Sequence, residues 1–155
     1  MDHMPTVTDE HKKLHALAGT WIGEETMAPS PWGAGGAAVG HYTGRVECDG
    51  FFVSQDYRQE TDGAVSFRGH GIFGYDAEKK QFAWYWVDSM GSVPREPSWG
   101  TWSENTLQLT SQSPHNLGRY TYEFKGPDAY EFRLENSFDG GATWQTFMTG
   151  VYRRA

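Results

Sequence analysis

Every proline in this chain respects one boundary. The seven fall at Pro5, Pro29, Pro31, Pro94, Pro97, Pro114 and Pro127, either in the N-terminal stretch or in connections. None interrupts a run of strand-like composition, where it would delete a ladder hydrogen bond. The connections carry turn chemistry: Cys48-Asp49-Gly50, Thr61-Asp62-Gly63, Asp76 to Lys80, Ser103-Glu104-Asn105, Ser113 to Asn116, Gly126-Pro127-Asp128 and Asp139-Gly140-Gly141. Two longer loops, 28–36 and 89–97, are rich in Pro, Gly and Ser. Between them the spacing predicts strands over 20–27, 37–47, 51–60, 64–75, 81–88, 98–103, 106–112, 117–125, 129–138 and 143–153.

Short turns join neighbouring antiparallel strands, and nothing here supplies the crossover helices that parallel strands need. An open meander of this many strands would leave two unpaired edges, which closure removes. Gly69, Gly71 and Gly74 suit the bends that closure demands. One helix is expected before the strands. Thr8 caps it, Asp9 and Glu10 suit its first turn, Leu14, Leu17 and Ala18 form its apolar stripe, and Gly19 ends it. The fold class predicted is all-β: a closed up-and-down antiparallel barrel with the short helix over one end and a loose tail over 1–7.

Composition narrows the role. The chain has 155 residues, enough for one domain, and carries a formal charge of −7. Nucleic-acid binding rests on clustered Lys and Arg, so a polyanion partner is not expected. No apolar run reaches the roughly 20 residues that span a bilayer. The N-terminal Met1-Asp2-His3-Met4-Pro5 lacks the basic-then-apolar order of a signal peptide. Cys48 stands alone, so no internal disulfide forms, and a reducing, cytoplasmic setting is expected. The core must be built from rings, since aromatic residues make up 15% of the chain while Leu and Ile are scarce.

The strands alternate. Val53, Gln55, Tyr57 and Gln59 oppose Ser54, Asp56, Arg58 and Glu60. Phe82, Trp84 and Trp86 oppose Ala83, Tyr85 and Val87. Tyr120, Tyr122 and Phe124 oppose Arg119, Thr121 and Glu123, and Tyr130, Phe132 and Leu134 oppose Glu131, Arg133 and Glu135. A barrel of this girth encloses an interior just wide enough for side chains or one small ligand. Polar residues at otherwise apolar positions are candidate anchors, because burying them unpaired costs about 1–3 kcal/mol each. His70 lies between glycines, His41 between small residues, Glu25 shares a face with Trp21, and Asp88-Ser89-Met90 closes a Trp-rich strand. Cofactor and nucleophile motifs are missing, and His41, His70 and Glu135 lack local metal-ligand spacing, so no metal or cofactor is expected.

Gly19-Thr20-Trp21 after a short helix resembles the Gly-x-Trp signature of lipocalins and related calycin barrels. Together with Phe67-Arg68-Gly69-His70-Gly71, Trp86-Val87-Asp88-Ser89-Met90-Gly91, Leu134 to Gly141 and Gly150-Val151-Tyr152-Arg153-Arg154, it makes the chain similar to the bacterial domain family of unknown function numbered 1579. That resemblance implies a lipocalin-like barrel and brings no activity. It places Trp21 as structural and turns Glu25 and Met27 inward. The related nitrobindins hold haem through a histidine near the C-terminus. Here no histidine follows His115, which lies in a turn, so haem is not expected.

The expectation is a binding module taking one small, mostly apolar molecule into the lumen. Tyr57, Trp84, Trp86 and Met148 would supply contact surface, and Glu25, Gln55, His70 and Glu135 would orient polar atoms. Asp88 and Met90 would stand near the mouth. The alternative is a lyase, isomerase or cyclase in which His70 transfers a proton with Glu135 or Asp88. Exposed Trp32 and Trp99 would suit an interaction surface. The residues leave turnover and self-association open.

Overall fold

The computed structural model describes residues 4–31 and 33–155. Ten strands follow the helical segment: β1 (Gly19–Met27), β2 (Gly36–Glu47), β3 (Phe52–Thr61), β4 (Ala64–Asp76), β5 (Gln81–Asp88), β6 (Ser98–Ser103), β7 (Thr106–Gln112), β8 (Leu117–Phe124), β9 (Ala129–Ser137) and β10 (Gln145–Arg154). Each pairs antiparallel with its sequence neighbour, and β1 also pairs with β10, closing the sheet into a barrel. The expected architecture is therefore the observed one.

The last strand starts later than its composition predicts. Thr143 is held in the preceding turn, where its backbone N–H donates to Asp139 Oδ1 at 2.8 Å, and Gly141 N donates to Ser137 Oγ at 2.8 Å. The turn chemistry at 137–143 thus takes precedence over the strand propensity of Thr143 and Trp144.

The helical segment is also shorter in regular form than predicted. Helix α1 spans Asp9–Lys13 and tightens into a 3-10 turn over Leu14–Leu17. Its N-terminus is capped reciprocally: His11 N donates to the Thr8 hydroxyl, and the Thr8 N–H donates to His11 Nδ1 at 3.0 Å. The final carbonyls are drawn off the helix axis by other partners. Trp21 Nε1 donates to Leu17 O at 3.2 Å, and Arg154 Nη1 donates to Ala18 O at 2.7 Å. Of the expected loose tail, residues 1–3 lie outside the described residues, while Val7 sits beside Gly50.

This segment stoppers one end of the barrel. Leu14 and Leu17 meet the lumen beside Trp21, Val53, Phe73, Phe82, Leu107, Phe124, Tyr130 and Tyr152, all buried. The rings pack in stacked and edge-on pairs, such as Tyr130–Tyr152 at 4.9 Å and Trp21–Tyr130 at 4.8 Å. At the opposite end the loops 89–97 and 138–144, with residues 28–31 and 33–35, surround a mouth. There Met27, Phe67, Trp86, Tyr120, Leu134 and Phe147 are only half-buried. Irregular register at Gln59/Glu60 and at Thr146/Met148 lies on this rim. Such bulges re-aim side chains at barrel rims.

Trp21 joins the stopper to the closing seam, with Arg154 stacked 4.2 Å from its ring. Trp21→Ala is expected to cost about 3–5 kcal/mol, because it removes a buried ring that the surroundings cannot refill. Urea denaturation of the variant beside the parent chain measures that loss.

Candidate functional site

Strand alternation decides which of the sequence candidates reach the lumen. Glu25, Gln55, Tyr57, Trp84 and Met148 are buried inside the barrel, with Trp86 and Asp88 above them toward the mouth. Met90 follows in the loop beyond β5, and it is exposed. Asp88 is tied down there: its carboxylate accepts from Trp86 Nε1 at 2.8 Å and from Met90 N at 2.9 Å.

His70 and Glu135 are not in the lumen. His70 is the Cα partner of Asp56 on the outer wall, and its Nδ1 meets Asp56 Oδ1 at 2.7 Å. The Arg45 guanidinium and then His70 hold the Asp56 carboxyl below its ordinary value. Glu135 lies on the opposite outer wall, where Arg119 grips both its oxygens at 3.0 Å and Arg133 adds a contact at 3.1 Å. It is buried by this cluster, with Trp144 stacked on Arg119, rather than by the barrel interior. Asp88 faces inward where His70 faces outward, so the three residues of the proton-transfer alternative do not converge. His41 also points outward, to Glu60 at 3.1 Å, which scatters the three-residue metal set. Trp99 lies on the outer face of β6 beneath the Lys79 ammonium, and Trp32 lies outside the described residues.

The interior expected to be hollow is largely occupied by side chains. Hollows of about 300 and 230 Å³ lie instead on the outer wall, beside His41, Arg58 and Arg68 and beside Glu123, Glu131 and Arg133. Rings reach across the lumen because glycines stand opposite them. A Cβ at Gly69 would lie 2.1 Å from the Trp86 ring, and one at Gly71 would lie 2.6 Å from Trp84 Nε1.

Two polar groupings break this apolar interior. The first surrounds Glu25, which is 2% exposed. Tyr57 OH donates to both carboxylate oxygens at 2.9 Å, Gln59 Nε2 donates to Oε1 at 3.0 Å, and the Tyr152 hydroxyl donates to Oε2. Gly40 makes the space, since a Cβ there would lie 2.3 Å from Glu25 Oε2. Gln59 Nε2 also lies 3.5 Å from Met27 Sδ and 3.9 Å from Met148 Sδ. The second grouping is Gln55 Oε1, Trp84 Nε1 and Tyr122 OH, which are buried and make no hydrogen bond of ordinary geometry among the described residues, although the Gln55 side chain acts on the Tyr122 phenol; Tyr130 OH, nearer the stopper, is likewise buried without one. Burial pushes the Tyr57, Tyr122 and Tyr152 phenols up, and the Glu25 charge raises Tyr57 and Tyr152 further, so all three are neutral donors. Gln59, Tyr122 and Tyr152 are the members that sequence reasoning left out of the site, although each shares the inward parity of its strand.

A closed meander with one end stoppered by a helix and the other ringed by aromatic side chains defines a lipocalin-like barrel. The chain belongs to the family described as a protein of unknown function, DUF1579, whose model matches residues 6–154. No curated protein matches the sequence. Solved structures share the fold at low identity. Rv2717c from M. tuberculosis superposes with a TM-score of 0.73 at 14% identity, covering 97% of this chain and 99% of that one. The S-type phycobiliprotein lyase CPES from Guillardia theta gives 0.66 at 10% identity, covering 96% and 98%. EF1p2_mFAP2b bound to DFHBI gives 0.51 at 14% identity, covering 95% and 100%.

The outer-wall position of Glu135 predicts a stability effect. Arg119, aided by Arg133 and only partly opposed by burial, holds its carboxyl below the ordinary value of 4.5. A depressed folded-state value means the stabilisation is complete above pH 4.5 and is lost as pH falls through that lower value. Glu135→Gln should therefore cost about 1–3 kcal/mol at neutral pH. Denaturation curves of parent and variant should converge in acid.

Proposed function

We propose that this chain is a small-molecule-binding barrel whose site is the mouth half of the lumen. The observation that carries the reading is the trio Gln55 Oε1, Trp84 Nε1 and Tyr122 OH. An acceptor, a donor and a hydroxyl are buried beneath half-buried rings without a well-formed hydrogen bond among the described residues, Gln55 and Tyr122 having only each other. Leaving such groups unpaired costs about 1–3 kcal/mol each, and a guest carrying polar atoms relieves that cost. The rings above them supply what small-molecule pockets usually offer, an apolar wall around a few oriented polar groups.

The guest enters past Phe67, Trp86 and Tyr120, since the helical stopper closes the other end. Side chains fill the resting lumen, so the half-buried mouth rings give way to admit it; its mostly apolar body then lies against Trp86, Trp84 and Met148, and its polar atoms are oriented by Gln55 and Glu25. That structures of related fold include one bound to DFHBI and one named as a phycobiliprotein lyase supports the same general reading. Proton transfer centred on His70 receives no support from the geometry, because its ring is on the outer wall with Asp56.

Titration with the neutral, environment-sensitive dye Nile red tests the reading. Dye emission should rise saturably, and Trp86→Ala should weaken the dissociation constant by about tenfold or more, the loss of one anchoring ring. Tyr85→Ala, on the outer face of the same strand, should leave it unchanged. Equal effects from the two variants, or no saturable signal, would overturn the proposal.

A further inference from the structure

Glu25 is the acidic group at the centre of the buried polar cluster. Its carboxylate is buried, and every group that touches it is neutral: two phenols and one amide. Among the described residues, no Lys, Arg or His is paired with it. Buried charges are as a rule paired with an opposite charge, because hydrogen bonds alone only partly replace lost hydration. The ion pairs of the described residues lie on the outer wall and at the stopper, and Arg95, in the mouth loop 89–97, is exposed.

Gln59 shows where the missing charge belongs. Its Nε2 is within 3.0 Å of Glu25 Oε1, 3.1 Å of the Tyr57 hydroxyl, 3.5 Å of Met27 Sδ and 3.9 Å of Met148 Sδ. Four acceptor atoms surround a nitrogen that has only two hydrogens to give. An ammonium carries three donors and a full charge, so it matches that shell better than the amide does. The Tyr57 ring, whose hydroxyl meets both Gln59 and Glu25, lies 6.1 Å from Phe67 and 6.1 Å from Trp86, centroid to centroid. Aromatic faces and thioethers around a carboxylate are the surroundings that favour an organic cation.

Resting on the mouth-site reading above, we infer that the guest is an organic amine, whose ammonium displaces the Gln59 amide and pairs with Glu25 while its apolar body lies against Trp86 and Phe67. Gln59 is then a neutral placeholder that roofs the carboxylate when the site is empty. A carboxylate-bearing guest of the same shape would be rejected by Glu25.

Calorimetric titration with three matched probes tests this: phenethylamine, phenethyl alcohol and phenylacetate at neutral pH. The amine should bind about tenfold or more tighter than the alcohol, reflecting a charge-assisted contact, and phenylacetate should bind weakest. Glu25→Gln should bring the amine to the affinity of the alcohol. Should Glu25→Gln fail to fold, Gln59→Ala keeps the test alive. It removes the placeholder and should tighten the amine relative to the alcohol. An alcohol that binds as tightly as the amine in the parent chain, or a Gln59→Ala variant with no gain for the amine, overturns the inference while Nile red binding keeps the mouth site. Failure of Nile red and of all three probes to bind overturns both.

Discussion

Ten strands in an open meander would expose two rows of unpaired backbone groups, and the β1–β10 pairing, from Trp21 opposite Arg154 to Met27 opposite Met148, removes both. Arg154 secures that seam at the stoppered end. Its Nε donates to Pro127 O, its Nη1 donates to Ala18 O, and its guanidinium stacks on Trp21. One side chain thereby links the last strand, the β8–β9 turn, the helical segment and the first strand. Closure also gives every strand position a fixed inside or outside, so the chemistry of the lumen follows from parity alone.

Parity by itself would put rings against rings with no room between them. Glycines resolve the conflict. Gly23 and Gly150 leave space for the Tyr152 ring, Gly69 and Gly71 for the two tryptophans of β5, and Gly40 for the Glu25 carboxylate. The interior is therefore two regions in series. Toward the helix it is a dry stack of Trp, Tyr, Phe and Leu that supplies most of the buried apolar surface. Toward the mouth the same wall carries Glu25, Gln55, Gln59 and Asp88 beneath half-buried rings. The dry packing and the buried polar groups thus lie toward opposite ends of one cylinder.

The strand order and closure were legible because turns, prolines and alternation are local signals that agree with one another. Inward placement of Glu25, Gln55, Tyr57, Trp84 and Trp86 followed from the same period of two. His70 misled because its glycine neighbours suggested room for a buried ring. Those glycines are the inward positions, and they make room for Trp86 and Trp84, so His70 between them must point out. Glu135 alternates with Leu134 and shares the outward phase of Arg133. Its burial comes from Arg119 across the strand pair, a contact that the sequence of β9 does not contain. Gln59 and Tyr152 were missed for a related reason. Their importance lies in a shared partner on a third strand, and separations of 34 and 127 residues from Glu25 leave no local trace.

The Glu25 cluster is hard to account for by stability. An apolar side chain of similar size would fill the cradle left by Gly40, and replacing buried polar networks with well-packed apolar groups is often neutral or stabilising. Tyr57, Tyr152 and Gln59 would then have no carboxylate to satisfy, and phenylalanine and leucine could pack in their places. The chain instead commits four side chains on three strands to holding one anion in a region otherwise made of rings. Its net charge of −7 gives no reason to want a further negative group. What the arrangement achieves is a carboxylate held in one geometry by neutral donors, in surroundings of low dielectric where its field is poorly screened. Its hydrogen bonds come from neutral groups alone, so the resting protein offers this carboxylate no opposite charge, which is the feature an ammonium guest would complete.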